Sequence, residues 1–437
     1  MLALLRQRNF RLLWSGGLLS QIGTYMLLAA LPYFVYSTSH SVQSFGTAII
    51  SETVPAVLFN TIGGVYADRL PRKVVLAAGD GSRGVVLLPL LAVHSASTLW
   101  IVYVTGFVSS AIAAFAGPFG TAALPHIVRD ADLPSANAAF ASATYAAVLM
   151  GSPIGGFLLQ HVGLSTVVLL DSASFLIPTL AIGLINVPLE ERTMAGERAE
   201  TKQPHVFGQW LLGWRYVYCS SLLGRLFAIA MPVFVGNSLI GVVLVPFVRR
   251  VLGGTAEFYS WTLTLEAVSG ITAGFLMSRV NRYFGPARLL GVSLVAVGVL
   301  ANLGVAAASQ PVTLCVSAVI GIPILFASSN LTTLLQTGSD PAYRGRISGA
   351  YITTVASVSL LGSIFATLVT DRVGIRLMFG LGGLIFIASG AASLRILPHR
   401  PGTVSDGAEV SSSADLLQSE EACSHNDVTT ATSSKGT

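Results

Sequence analysis

The sequence predicts an all-α protein that crosses a membrane many times, and three observations carry that prediction. Hydrophobic residues make up 53% of the 437 residues and charged residues only 10%, whereas a soluble domain carries about 25% charged residues. Mean hydropathy is correspondingly high, at +0.71. The apolar residues are gathered into twelve runs separated by polar breaks, each long enough to cross a bilayer core of about 30 Å at about 1.5 Å per residue. Finally, the second half of the chain repeats features of the first at a shift of about 210 residues.

The breaks place the spans at about 10–36, 42–66, 74–94, 98–122, 135–160, 164–187, 222–248, 256–278, 286–308, 312–336, 346–370 and 374–397. This spacing predicts an N-terminal six-helix bundle over 1–187, a central cytoplasmic linker over 188–221, a C-terminal six-helix bundle over 222–398 and a disordered cytoplasmic tail over 399–437. The linker is marked by Glu190, Glu191, Arg192, Glu197, Arg198, Glu200 and Lys202, and the tail by its Ser, Thr, Asp and Glu content, which offers too little apolar surface to offset ordering entropy. With the N-terminus inside, only Arg249, Arg250, Arg372 and Arg376 of the 25 Lys and Arg residues fall at external loops. Positive loops stay cytoplasmic, so both termini are expected on that side of the cell's inner (plasma) membrane. The first span is longer than a signal-peptide apolar region and is read as retained.

Span 1 opens Asn9-Phe10-Arg11-Leu12-Leu13-Trp14 and continues Ser20-Gln21-Ile22-Gly23-Thr24-Tyr25. Gln21 and Tyr25 either line a cavity or pack against a neighbouring helix through hydrogen bonds. Span 2 carries Glu52 about mid-membrane with Pro55 one turn on. A carboxylate there costs roughly 2.5 to 3.5 kcal/mol on insertion scales, so it should face a wet cavity, be paired, or be protonated.

Between spans 2 and 3 runs Gly63-Gly64-Val65-Tyr66-Ala67-Asp68-Arg69-Leu70-Pro71-Arg72-Lys73. The spacing Gly64-x-x-x-Asp68-Arg69-x-x-Arg72-Lys73 resembles the loop 2 to 3 signature of the major facilitator superfamily, with Pro71 where that family usually has Gly. The resemblance implies two pseudo-symmetric six-helix bundles, and a cytoplasmic gate in which Asp68 meets the N-terminus of span 11, here Asp340 to Arg346 with Arg344 and Arg346. Asp80 and Arg83 in span 3 share one helical face and are expected to join Asp68 and Arg69 in that polar network.

The N-F-R-x-L-W and S-Q-x-G opening, and Leu124-Pro125-His126-Ile127-Val128 followed by Ala136-Asn137-Ala138, are similar to the branch of the superfamily that holds the enterobactin and macrolide exporters. Span 4 has no arginine in its apolar stretch, unlike many proton antiporters of the superfamily. Span 5 carries Gly151-Ser152-Pro153-Ile154-Gly155-Gly156, which resembles the antiporter motif of this helix with its proline displaced by one. Physically, Gly151 and Gly155 form a small-residue ridge for close helix approach and Pro153 bends the helix. Asp171 in span 6 lies toward the external end and is read as structural.

In the repeat, Gly274, Arg279 and Arg282 fall on Gly64, Arg69 and Arg72 at a shift of 210, and Gly362, Val373 and Gly374 fall on Gly151, Val162 and Gly163 at 211. Such parallel repeats are known in this superfamily. Glu266 corresponds to position 56, one helical turn from Glu52, so Glu52 and Glu266 are expected to be the proton-coupling pair facing a central cavity. Arg279 and Arg282 are expected to face Asp130 and Asp132 in a second latch. Gln21, Tyr25, Phe59, Tyr145, Trp261 and Phe326 are the candidate cavity lining.

Neither a Walker loop, H-E-x-x-H nor a serine nucleophile elbow occurs, so an enzyme is not expected, nor are a cofactor, a metal or a nucleic-acid partner. The resemblance implies a secondary transporter that exports a small hydrophobic or amphipathic compound, as a drug, antibiotic or siderophore exporter does, by proton antiport and alternating access, acting as a monomer in the bilayer. The alternatives are uptake or facilitated diffusion of a small polar solute, and a transporter-derived membrane sensor.

Overall fold

The computed structural model describes residues 2–66, 70–129, 132–185, 217, 220–339 and 344–397. Among these residues, after one turn at Leu2–Leu5, come twelve long helices: α1 (Arg8–Ser39), α2 (Val42–Tyr66), α3 (Arg72–Leu87), α4 (Trp100–Ile127), α5 (Leu133–His161), α6 (in two pieces, Leu164–Ser174 and Leu176–Gly183), α7 (Ser221–Pro246), α8 (Ala256–Phe284), α9 (Pro286–Ala307), α10 (Gln310–Thr337), α11 (Arg344–Val373) and α12 (Ile375–Ile396). Among the described residues there is no strand. In lipid every backbone N–H and C=O must be satisfied within the chain, and a helix does this locally.

Eleven helices among the described residues are long and apolar enough to cross a membrane. The twelfth, α8, is 29 residues long, about 43 Å at the helical rise. Its charged Glu257, Glu266, Arg279 and Arg282 dilute its apolar character. It nevertheless packs inside the bundle against α1, α5 and α10.

The two halves repeat one packing scheme. In the first, α1 packs on α5 and α6, α2 on α4, and α3 on α4 and α6; in the second, α7 packs on α11 and α12, α8 on α10, and α9 on α10 and α12. The halves meet chiefly through α5 with α8 and α2 with α11, two pairs that a two-fold axis exchanges. The turn glycines obey the same axis. Gly163, between α5 and α6, and Gly374, between α11 and α12, have φ of 108° and 98°, backbone that L side chains rarely adopt.

Described contacts between the halves gather at the end of the molecule that holds the α1–α2 turn. Tyr33 donates to the Gly254 carbonyl at 2.9 Å, and Nε2 of His161 lies 3.8 Å from Oε2 of Glu257. Gly46 of α2 abuts Thr367 of α11, and Gly156 of α5 abuts Ser260 and Ala256 of α8. One buried cluster, including Tyr36, Phe45, Val243 and Phe379, spans both halves here. At the opposite, terminal end the buried clusters are separate: Phe10, Leu124 and Ala136 in the first half; Leu223, Leu294 and Leu331 in the second.

Candidate functional site: one cavity in each half

Each half encloses a cavity with an acid from the equivalent helix. In the first half, α1, α2, α3, α4 and α6 surround about 230 Å³, lined by Glu52, Arg83 and Asp171 together with Thr24, Thr105, Ser109 and Ser110. In the second, α7 to α12 surround about 600 Å³ in which, among the described residues, Glu266 is the sole charged lining residue. Leucine, isoleucine, valine, phenylalanine and alanine dominate that wall, with Asn237, Thr262, Ser317 and Tyr351 as polar points. The size and the mostly apolar lining fit a small-molecule site of roughly 300–1,000 Å³.

Local geometry places the two acids alike. Glu52 stands on α2 opposite Gly106 of α4, where an added Cβ would lie 3.2 Å from Glu52 Cγ. Gly321 of α10 abuts the backbone of α8 at the Glu266 carbonyl and Gly270. In each half, then, a glycine on the neighbouring helix allows the acid-bearing helix to approach closely. Ser110 Oγ donates to the Glu52 carbonyl, and Ser269 Oγ to the Glu266 carbonyl at 2.9 Å. Pro55, with no N–H to give to the Ser51 carbonyl, interrupts the α2 ladder beside Glu52. The acids line different cavities, one per half.

Arg83 is drawn into the first cavity. Its guanidinium lies 4.5 Å from the Phe175 ring centroid and its Nε donates to Ser109 at 3.5 Å. Asp171, only 2% exposed, lies on the same cavity and interacts electrostatically with Arg83, as does the half-buried Asp80 one turn away on α3. On sequence alone Arg83 belongs with the gate and Asp171 with structure. No periodicity links residues on α2, α3 and α6, so only the fold brings them together.

The gate residues divide. Lys73 Nζ donates to the carbonyls of Gly183 and Ile185 at 3.0 and 2.9 Å, tying the start of α3 to the end of α6. Arg72, 5% exposed, lies 3.4 Å from the His126 ring nitrogens and so ties α3 to α4. Both ties stay within the first half. Gly64 lies in the last turn of α2. Asp68, Arg69, Asp130 and Asp340 lie outside the described residues, as do the side chains of Arg344 and Arg346. Asp132 accepts from Arg129 Nε at 3.1 Å, while Arg279 and Arg282 line a surface recess with Phe275 and Ser278.

On α5, Gly151 faces Ile22 and Tyr25 of α1, and Gly155 faces Met26 of the same helix. Pro153 lies inside the helix between them. Of the aromatic and amide candidates, Gln21 accepts from Thr144 Oγ1 at 2.8 Å in the α1–α5 contact. Tyr25 packs beside Gly151, and Phe326 lies in a buried cluster with Ala273 and Leu289. Trp261 is 46% exposed, and Phe59 and Tyr145 are half-buried. None of the six lines either of these two cavities.

Residues 1–416 match the family described as transmembrane secretion effector. Macrolide efflux protein A of Streptococcus pyogenes is 22% identical over 397 residues, covering 87% of this chain and 93% of that protein. The multidrug efflux pump Tap of Mycobacterium bovis is 23% identical over 394 residues, covering 87% and 91%. Among solved structures, a POT family transporter in complex with 5-aminolevulinic acid superimposes with a TM-score of 0.71 at 13% identity, over 90% of this chain and 97% of that one.

Proposed function

The chain belongs to the transmembrane secretion effector family of the major facilitator superfamily, a family of membrane transporters, and from that premise we propose that it exports a small hydrophobic or amphipathic compound by proton antiport and alternating access. The observation that carries the reading is the second-half cavity, about 600 Å³ of mostly apolar wall with Glu266 as its lone charge among the described residues. An apolar compound loses water on entering such a space, and the burial of its surface drives binding. A lone carboxylate away from bulk water is costly when charged and unpaired. It is therefore stable with either a proton or a cationic group of the cargo beside it, and those two exclude one another. Exclusion at one carboxylate is sufficient to couple the inward passage of a proton to the outward passage of cargo.

Glu52 and Glu266 are the coupling acids of this reading, one in each half. With the N-terminus in the cytoplasm, the end where the halves seal is the external one, and the conformation is the cytoplasm-facing member of the cycle. The efflux named for the two relatives supports export over uptake. The test is accumulation of ethidium and of a macrolide in inverted membrane vesicles carrying the full chain, with and without an imposed pH gradient. Gradient-dependent accumulation of either probe is expected. Accumulation indifferent to the gradient would replace antiport by facilitated passage, and its absence over a broad panel of amphipathic compounds would remove the export reading.

A further inference from the structure

The first-half cavity holds, beside Glu52, two charged groups that the export reading does not use, Arg83 and Asp171. We propose that Glu52, Arg83 and Asp171 form one proton-binding site, separate from the cargo cavity, in which Arg83 is the internal counter-charge of both carboxylates. This deepens the antiport reading and rests on it for the direction of proton flow.

The argument begins with charge. Three helices, α2, α3 and α6, each place one charged side chain on a single cavity of about 230 Å³. Two carboxylates then face one guanidinium, so the site is one negative charge in excess when fully ionised. Uncompensated charge in a low-dielectric interior is strongly unfavourable. One bound proton makes the three groups neutral together, and its loss leaves both acids competing for Arg83. The groups facing this site from the surrounding helices are Thr24 of α1, Thr105, Ser109 and Ser110 of α4, and, on α3 but outside the lining, Asp80. The α1 and α4 groups are neutral and offer only hydroxyls. Asp80 draws on the same guanidinium from one turn away on α3, so charge balance in the cavity turns on the three named residues together with Asp80.

Arg83 shares the cavity with both acids and is held there. The Phe175 ring and the Ser109 hydroxyl hold its guanidinium in place. Asp171 is pressed against α1, where a Cβ added at Gly23 would lie 2.6 Å from its Oδ1. Asp171 thus has little room to move, and Glu52, exposed to the cavity, has more. Among the described residues the second half has no such set around its own cavity, whose charged lining is Glu266 alone. The first half then holds a proton-binding triad with no cargo, and the second a cargo cavity in which Glu266 takes either a proton or the cargo.

A route from this site to the gate is also present. Glu52 sits on α2 between the interruption at Pro55 and the seam where Gly46 meets Thr367 of α11. Six residues, about 9 Å of helix, separate Gly46 from Glu52. A change of charge at Glu52 therefore acts on the helix that closes the halves.

The test reads protonation directly, without transport. N,N′-dicyclohexylcarbodiimide modifies protonated carboxyls within membranes, and mass spectrometry of the full-length protein locates the adduct on Glu52. Labelling of Glu52 is expected to fall as pH rises. It should persist about 1 pH unit higher in R83Q, which loses the counter-charge, and end at lower pH in D171N, which leaves Arg83 to Glu52 alone. R83K, which keeps the charge, should stay near wild type. In parallel, E52Q and D171N should lose gradient-driven ethidium accumulation about tenfold while keeping downhill ethidium exchange. Glu52 labelling that is indifferent to R83Q and D171N in folded protein would overturn the triad. A wild-type protein that moves no probe, yet shows the labelling shifts, would instead overturn the export reading and leave the triad standing.

Discussion

Alanine at Gly46 is predicted to tip the protein away from the conformation described here. A Cβ built at that position lies 2.6 Å from Thr367 Cγ2 and 2.7 Å from Thr367 Cβ, whereas ordinary contact begins near 3.4 Å. Both atoms belong to a buried threonine whose hydroxyl is bonded to the Ser363 carbonyl at 2.7 Å, so α2 and α11 must part by about 0.7 Å or more. Overpacking of this order costs about 1–3 kcal/mol. That cost falls only on the state in which the seam is closed, so the equilibrium moves by roughly 5- to 150-fold toward the opposite state. Electron–electron resonance distances between labels on the α1–α2 and α7–α8 turns should lengthen in Gly46→Ala. Thr367→Gly added to it should restore the wild-type distances by removing the opposing Cβ. Unchanged distances in a folded Gly46→Ala protein would refute the claim that this seam holds the halves together.

Other expectations follow from the same geometry. Gly163→Ala and Gly374→Ala each place a Cβ where φ is 108° or 98° and should lower thermal stability by about 1–3 kcal/mol, read from melting in detergent. Gln21→Ala removes the bond from Thr144 and should cost about 0.6–1 kcal/mol while leaving ethidium affinity unchanged, which separates packing from cavity lining. Lys73→Met frees the carbonyls of Gly183 and Ile185 and should cost about 1 kcal/mol, with α3 and α6 showing faster hydrogen exchange at that end.

Much of the fold was legible in the chain because lipid imposes a simple rule. A run of apolar residues long enough to span must be helical, so twelve runs give twelve helices even where α8 carries four charges. The two-fold relation was legible where it constrains backbone: Val162-Gly163 and Val373-Gly374 align because both turns need the same positive φ. The interruption of α6 at Phe175 answers to Pro178, which has no N–H to give to the Ser174 carbonyl and crowds it, a signal that a reading by polar breaks passes over.

The site was harder to read. That Glu52 and Glu266 occupy equivalent helices follows from the repeat, but a shift of 210 residues does not tell whether a face looks between the halves or into its own half. Asp80 and Arg83, one turn apart on α3, do interact, as their spacing implies. The cavity partners of Arg83 lie 31 residues before it and 88 after it, on helices whose azimuth depends on packing. Aromatic residues are weak pointers to a cavity because phenylalanine and tyrosine serve core, lipid face and cavity wall equally well; Phe326, for instance, lies in a buried cluster beside Ala273.

The central claim is that proton and cargo exclude each other at Glu266, and a weakly buffered solution of the detergent-solubilised protein tests it without a membrane. Binding of ethidium should release about one proton per molecule bound by the wild type, and none from that carboxyl in Glu266→Gln. Equal proton release by the two proteins, or binding with no release by the wild type, would contradict the account.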